Sequence, residues 1–209
     1  MELIGGIILA GGQSTRMGGG DKCLKMLGGK TLISRIIERV NPQISALILN
    51  ANGNPSRFSD YNLPVVPDVI GDYAGPLAGI LTGMEWMRMY RPEIQWLASF
   101  PGDAPFIPLD FVIKCLKVTK RMDVEIICAK SAGRAHPVCA LWSVKLADEL
   151  RSAMKNDQIR KIDKWSSNYS VYHEEFSVKP IDPFFNVNSE QDLLVAESFY
   201  KEGINPSES

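Results

Sequence analysis

Seven of the 17 glycines in this 209-residue chain fall in the short stretch from Gly5 to Gly20, after the apolar run Leu3–Leu9 and ahead of a helical pattern. Glycine lets a backbone bend with φ > 0 and turn successive N–H groups inward, which makes a concavity suited to an anion. A strand, such a loop and then a helix open an α/β fold, and the chain continues the alternation. From Thr31 to Val40, Leu32, Ile33, Ile36, Ile37 and Val40 share one helical face, with Arg35, Glu38 and Arg39 on the other. Ala46–Leu49, Val65–Val66, Trp96–Phe100, Val124–Ala129 and Pro137–Trp142 read as further strands, and segments near 77–90, 108–120, 143–155 and 189–202 as helices. The expected architecture is a three-layer α/β sandwich on a mostly parallel sheet, one domain over residues 1–209 with a frayed polar tail at Asn205–Ser209.

Charge removes several classes of function. Lys and Arg number 23 against 24 Asp and Glu, without the basic excess that duplex nucleic acid or an anionic membrane demands. Any phosphate is therefore handled locally. No apolar run approaches the length of a membrane span, and the start MELIGGIILAGG carries Glu2 and no basic segment, unlike a signal peptide. The expected compartment is the cytoplasm. Cys23, Cys115, Cys128 and Cys139 are scattered and only His136 and His173 are present, so reduced structural thiols are expected rather than zinc or disulfides.

The glycine loop fits neither of the common nucleotide motifs. No glycine starts a G-x-x-x-x-G-K-[ST] pattern, since Gly29-Lys30-Thr31 has Leu24 where the first glycine belongs, and Cys23 breaks the last position of a G-x-G-x-x-G fingerprint. What LAGGQSTRMGGGDK does contain is Arg16 and Lys22, spaced to fold two cations over whatever the glycines hold. Either cation alone would read as a solvated loop charge; with the glycines they read as a triphosphate loop. Farther on, the run QWLASFPGD places Asp103 just beyond a strand end, where open α/β sheets bind ligands. Mg²⁺ takes few protein carboxylates and leaves room for phosphate oxygens, so one aspartate can suffice; Asp110 is the better candidate to cap the following helix. Asn50-Ala51-Asn52 and Val66-Pro67-Asp68 put further polar groups at strand ends on the same edge. Individually these are common turn residues, and their weight comes from convergence.

Taken in order, LAGGQSTRMGGGDK, LILNAN, VVPD, GDYAGPLAGI, FPGDAP, AHPVCAL and FNVNSEQDL resemble the molybdenum cofactor guanylyltransferase family over residues 3–196. The resemblance implies a Rossmann-like fold of the nucleotide-diphospho-sugar-transferase type. It also implies transfer of GMP from GTP to the terminal phosphate of molybdopterin, usually already carrying molybdenum, with Mg²⁺ and release of pyrophosphate. By the same motifs, Leu9, Ala10, Gly11 and Gly12 would line guanine and ribose, Lys22 the phosphates, Asn50 and Asp68 the nucleoside, and Asp103 the metal. Gly75, Pro76, Leu77, Gly79, His136, Asn186 and Asn188 would face the pterin. The family implies protein partners too, those that insert the finished cofactor and the molybdoenzymes that receive it.

Sister enzymes that use CTP read LAAG where this chain reads LAGG, and Gly12 leaves room for a purine. The basic segment Lys155–Ser167 matches the family only in outline, which sets Arg160 and Lys161 apart from the other candidates. The expected reaction is an in-line attack by an already anionic phosphate on the α-phosphorus of GTP, with Asp103, Lys22 and Arg16 positioning and neutralising charge. A cytidylyltransferase or sugar-phosphate nucleotidyltransferase would share the loop and aspartate. A non-catalytic GTP-binding adaptor would bind nucleotide and release no pyrophosphate.

Overall fold

The computed structural model describes residues 2–11, 20–71 and 75–202. The first strand, β1 (Ile4–Leu9), is buried along most of its length, as a strand covered on both faces must be. A two-rung hairpin of β2 (Met26–Leu27) and β3 (Lys30–Thr31) leads into α1 (Leu32–Val40). Thr31 caps that helix, its hydroxyl accepting from the Ser34 N–H at 3.2 Å. Leu32, Ile33, Ile36 and Val40 are fully buried, each contributing about 1.5–3 kcal/mol of burial. Arg39, expected on the solvent face, is instead buried, its Nε donating to the Ile107 carbonyl at 2.5 Å. Its stem packs under the helix while the head finds a backbone acceptor.

The sheet grows through β4 (Ala46–Asn50), β5 (Val65–Val66) and, after α2 (Pro76–Tyr90), β6 (Trp96–Pro101). Pro76 stands in the first turn of α2, where its missing N–H costs nothing. Then come α3 (Phe111–Thr119), β7 (Ile126–Ser131), β8 (Arg134–Ser143), α4 (Ala147–Asn156), α5 (Ile162–Ser166), β9 (Val171–Phe176) and α6 (Glu190–Lys201). The strand order is β5-β4-β1-β6-β8-β7-β9. Every pairing is parallel except those of β8, which runs against both β6 and β7. The reason is local: only Ala132 and Gly133 join β7 to β8, with φ of 47° and 76°, and a two-residue loop with both φ positive closes an antiparallel hairpin.

Helices α1 and α3 cover one face of the sheet through Ile33, Ile36, Phe111 and Cys115. Helices α2, α4 and α5 cover the other through Leu77, Leu81, Leu150 and Trp165. A smaller cluster of Leu27, Leu32, Phe106, Ile181, Val187 and Ala196 holds α6 beside the start of α1. The expected α/β sandwich on a mostly parallel sheet is thus observed. No helix among the described residues is long and apolar enough to cross a membrane.

Candidate active site

The carboxyl ends of β1, β4 and β6 are stitched together by backbone bonds. Ala10 N–H donates to the Asn50 carbonyl at 2.9 Å, and Gly102 N–H to the Leu9 carbonyl at 3.0 Å. Beyond this seam lies a cavity of ≈ 320 Å³, lined by Leu9, Ala10, Gly11, Lys22, Asn50, Asp68 and Asp103 among others. It has the size and mixed lining of a small-ligand site, and it brings those seven sequence candidates together.

On the β4–β5 side, Asp68 is fixed from three directions. Its Oδ1 accepts from Asn50 Nδ2 at 2.9 Å, its Oδ2 from Asn52 Nδ2 at 2.8 Å, and its own N–H donates to Asn52 Oδ1 at 2.9 Å. An ionised carboxylate has about four acceptor positions, so Asp68 keeps capacity for N–H or O–H donors from a ligand. Helix α2 presses on this network: a Cβ at Gly79 would stand 2.4 Å from Asn50 Oδ1 and 2.6 Å from Leu9 Cδ2. Only glycine admits that approach. Gly79 therefore backs the cavity, and Leu77 is buried in the apolar layer beneath α2. Gly75 and Pro76 do line the cavity.

On the β6 side, Lys22 Nζ donates to Asp103 Oδ2 and to Asn188 Oδ1, each at 2.5 Å. One ammonium thus gathers a carboxylate and an amide oxygen from opposite ends of the chain. The pair is sheltered, with the Lys22 and Asp103 side chains 14% and 23% exposed. The segment carrying Asn188 is anchored by the Val187 N–H, which donates to the Asp103 carbonyl at 2.9 Å. Ser189 caps α6 by accepting from the Asp192 N–H at 3.1 Å, and Asp192 Oδ2 accepts in turn from the Asn188 N–H at 2.9 Å.

Arg57 connects the two sides. Its Nε stands 2.6 Å from Asp21 Oδ2, next to Lys22, while its Nη2 donates to the Asn52 carbonyl at 2.6 Å. Nothing in the sequence marked Arg57, because its role depends on the 3-10 turn Pro55–Tyr61 that brings it inward. Cys23, which belongs to no recognisable motif, also lines the cavity, and so does Val138, which the motif AHPVCAL contains but does not single out. Burial, aided by the Asp21 charge, pushes the Cys23 thiol up to about 12, so it is an uncharged wall at neutral pH.

The remaining candidates lie elsewhere. Arg16 and Gly12 fall outside the described residues. Asn186 is exposed. His136 belongs to a relay against Phe184, its ring 4.8 Å from that ring. The Ser131 hydroxyl donates to Asp182 Oδ1 at 2.9 Å and stands 2.7 Å from His136 Nε2. With its single proton given to Asp182, that hydroxyl accepts from His136, which fixes the Nε2–H tautomer. Desolvation holds the His136 pKa below its ordinary value, against the opposing pull of Asp182. Arg160 donates to the Met154 carbonyl at 2.6 Å and to the Ile159 carbonyl at 3.0 Å, and so closes the end of α4. Asp110 occupies the cap position of α3 but makes no cap bond, pairing instead with Lys114 at 2.9 Å.

A MobA-like NTP transferase domain matches residues 6–170. The chain is 48% identical over 191 residues to the molybdenum cofactor guanylyltransferase of Rhodopseudomonas palustris (strain HaA2), covering 91% of this chain and 89% of that one. It is 44% identical over 192 residues to the protein of that name from Bradyrhizobium sp. (strain ORS 278), covering 92% and 91%. Among solved structures, molybdopterin-guanine dinucleotide biosynthesis protein A from Archaeoglobus fulgidus superposes with a TM-score of 0.74 at 23% identity, over 95% of this chain and 99% of that one.

Proposed function

The chain belongs to the molybdenum cofactor guanylyltransferase family of MobA-like NTP transferases, and from that premise we propose that it transfers GMP from GTP to the terminal phosphate of molybdopterin, releasing pyrophosphate. The observation that carries this reading is the meeting of Lys22, Asp103 and Asn188 at a cavity whose opposite wall is the Asn50–Asn52–Asp68 network. One side of the cavity offers charge for phosphates, and the other offers fixed acceptors and amides for a nucleoside.

The residues present fit a magnesium ion by their donor chemistry. Asp103 and Asn188 supply a carboxylate and an amide oxygen that converge on one ammonium. Among the described residues no cluster of three His, Cys, Asp or Glu side chains offers a softer or fuller site. Such a sparse oxygen set suits an ion that completes its shell with phosphate oxygens and water. When bound, the ion supplies charge neutralisation on the phosphates. Lys22 provides a movable cation for the same charge, and its tie to Asp103 holds it at the cavity mouth before substrate arrives. Leu9, Ala10 and Gly11 form the floor on which the nucleoside lies, with Asp68 oriented to accept from it. The nucleophile is an anionic phosphate, so no general base is needed and the protein's task is positioning. The sequence LAGG at residues 9–12, where sister enzymes that use CTP read LAAG, supports GTP over CTP. Four unpaired buried cysteines suit a reducing compartment such as the cytoplasm.

The test is pyrophosphate release with molybdopterin as acceptor, with and without Mg²⁺, and with GTP and CTP in competition. Release that needs GTP, acceptor and divalent ion together is the expected result. GTP binding without release would turn the reading toward an adaptor, and equal use of CTP would overturn the base assignment.

A further inference from the structure

Between β9 and α6 the chain from Ser177 to Ser189 forms neither helix nor strand, yet it delivers Asn188 to Lys22. Backbone without a ladder has to be held by side chains and isolated bonds, and the hold comes from the tip of the β7–β8 hairpin. Ser131, the last residue of β7, pairs with Arg134 of β8 on one side and with Phe176 of β9 on the other. It is 0% exposed. Its hydroxyl accepts from His136 Nε2 at 2.7 Å and donates to Asp182 Oδ1 at 2.9 Å, and the same carboxylate oxygen accepts from the Phe184 N–H at 3.0 Å. A buried hydroxyl left without a partner is costly, so the end of β7 dictates where Asp182 stands. From there the chain turns, the Phe185 N–H donating to the Asp182 carbonyl at 3.1 Å. Phe184 enters the core with its ring 4.8 Å from His136, 5.2 Å from Phe176 and 6.3 Å from Phe111. Farther along, Val187 hooks onto the Asp103 carbonyl and the next residue meets Lys22.

We propose that Asp182, held by Ser131 and His136, is a positioning residue for Lys22. It sets the path of residues 182–188 and with it the place of the Asn188 oxygen that shares the ammonium with Asp103. The proposal rests on the function proposed above and adds to it a residue that lines no part of the nucleotide cavity. Burial of Phe184 fixes how deep the segment sits, but apolar burial is non-directional; the two bonds to Asp182 Oδ1 supply the direction. What Asp182 offers there is acceptor capacity on one oxygen, which an amide oxygen reproduces. A shift of about 1 Å at a reacting centre, caused from far away, costs up to about 10²-fold in rate. The hairpin that reverses β8 thereby serves the site from the opposite end of the Asn188 segment.

The test combines turnover with amide exchange in the full-length protein. Asp182→Ala should lower kcat for pyrophosphate release about ten- to hundredfold with the calorimetric stoichiometry of GTP unchanged; a mere loss of folded protein would lower the stoichiometry and leave turnover per binding site intact. Asp182→Asn, whose amide oxygen accepts both bonds, should restore most of the lost rate. In an Asn188→Ala background Asp182→Ala should cost nothing further, because residues acting along one path are not additive. By NMR, exchange of the Val187 amide should quicken about tenfold in Asp182→Ala, while that of Ala10, bonded to Asn50 on the other side of the cavity, stays as in the wild type. If Asp182→Ala does not fold, Ser131→Ala, which keeps the carboxylate and removes its anchor, is read by the same two measurements with the same expected directions. Full kcat in the alanine variant, losses that add to those of Asn188→Ala, or no rescue by Asp182→Asn would overturn the proposal. Failure of the function itself reads out separately. A wild type that releases no pyrophosphate, with Val187 exchange still set by Asp182, loses the reaction and keeps the anchoring. Robust GMP transfer, with turnover and Val187 exchange indifferent to Asp182, does the reverse.

Discussion

Two cavities of the molecule, one of ≈ 320 Å³ at the carboxyl ends of β1, β4 and β6 and one of ≈ 490 Å³ lined by β7, β8 and α5, hold their polar groups in different ways. In the first the partners are remote in sequence: Lys22 meets Asp103 and Asn188 across 81 and 166 residues, and Asp68 is held by Asn50 and Asn52 from another strand end. In the second cavity the ties are of shorter range, the Ser167 hydroxyl donating to the Lys164 carbonyl at 3.0 Å within one turn and the Tyr169 hydroxyl to Glu149 Oε2 at 2.7 Å across 20 residues. Groups fixed by the whole fold are positioned before the ligand arrives, and groups fixed by a short turn can adjust to it. Preorganised charge lowers the barrier of the chemical step, whereas adjustable contacts mostly set how tightly a substrate is held.

The sharpest way to break this contrast is Asp103→Ala. It should lower kcat for pyrophosphate release by about 10²–10³, the usual cost of losing one preorganised electrostatic group, while the melting temperature barely moves. A change confined to the acceptor KM would erase the distinction between the cavities. Gly79→Ala comes next. Alanine in a helix interior is ordinarily favourable by about 1 kcal/mol, but here the new Cβ meets Asn50 Oδ1. The expected outcome is an overpacking cost of about 1–3 kcal/mol in urea unfolding, together with weaker GTP binding by calorimetry. Arg57→Met should act more gently, loosening both Asp21 and the Asn52 carbonyl. A loss of about 1 kcal/mol, near fivefold in GTP affinity, is expected with kcat retained.

The smallest effect concerns pH. His136 titrates lower in the folded chain than in the unfolded one, so protons bind the unfolded state first as pH falls below about 6.5. Its contribution to stability is complete above that value and is lost as pH falls through the lowered folded value. Melting curves of wild type and His136→Gln should therefore converge toward acid, with the wild type losing more. Parallel curves would show that the relay against Ser131 carries no such penalty.

Much of the first cavity was legible because its chemistry sits at strand ends, where short apolar runs followed by Gly, Asn or Asp announce themselves. Asp103, Asn50 and Asp68 lie where those runs stop. Asn188 could be named from its motif but not given its partner, since a contact with Lys22 exists only once α6 has docked. The strand Val171–Phe176 escaped notice because it lies at the sheet edge and carries His173, Glu174 and Glu175 amid half-buried neighbours; an edge strand tolerates charge and loses clean alternation. The reversal of β8 was signalled by Ala132-Gly133, but the apolar runs Val124–Ala129 and Pro137–Trp142 stop short of that turn and conceal the hairpin. Helix α5 is too short for periodicity to show.

The hook of Val187 onto the Asp103 backbone and the reach of Asn188 to Lys22 have a consequence for biosynthesis. A growing chain that has emerged from the ribosome only through β9 already contains every strand of the sheet, yet its lysine has no amide oxygen to meet. The contact between Lys22 and Asn188 therefore forms only after the segment following β9 has been made, and a product terminated at β9 would hold every strand of the sheet while lacking that contact.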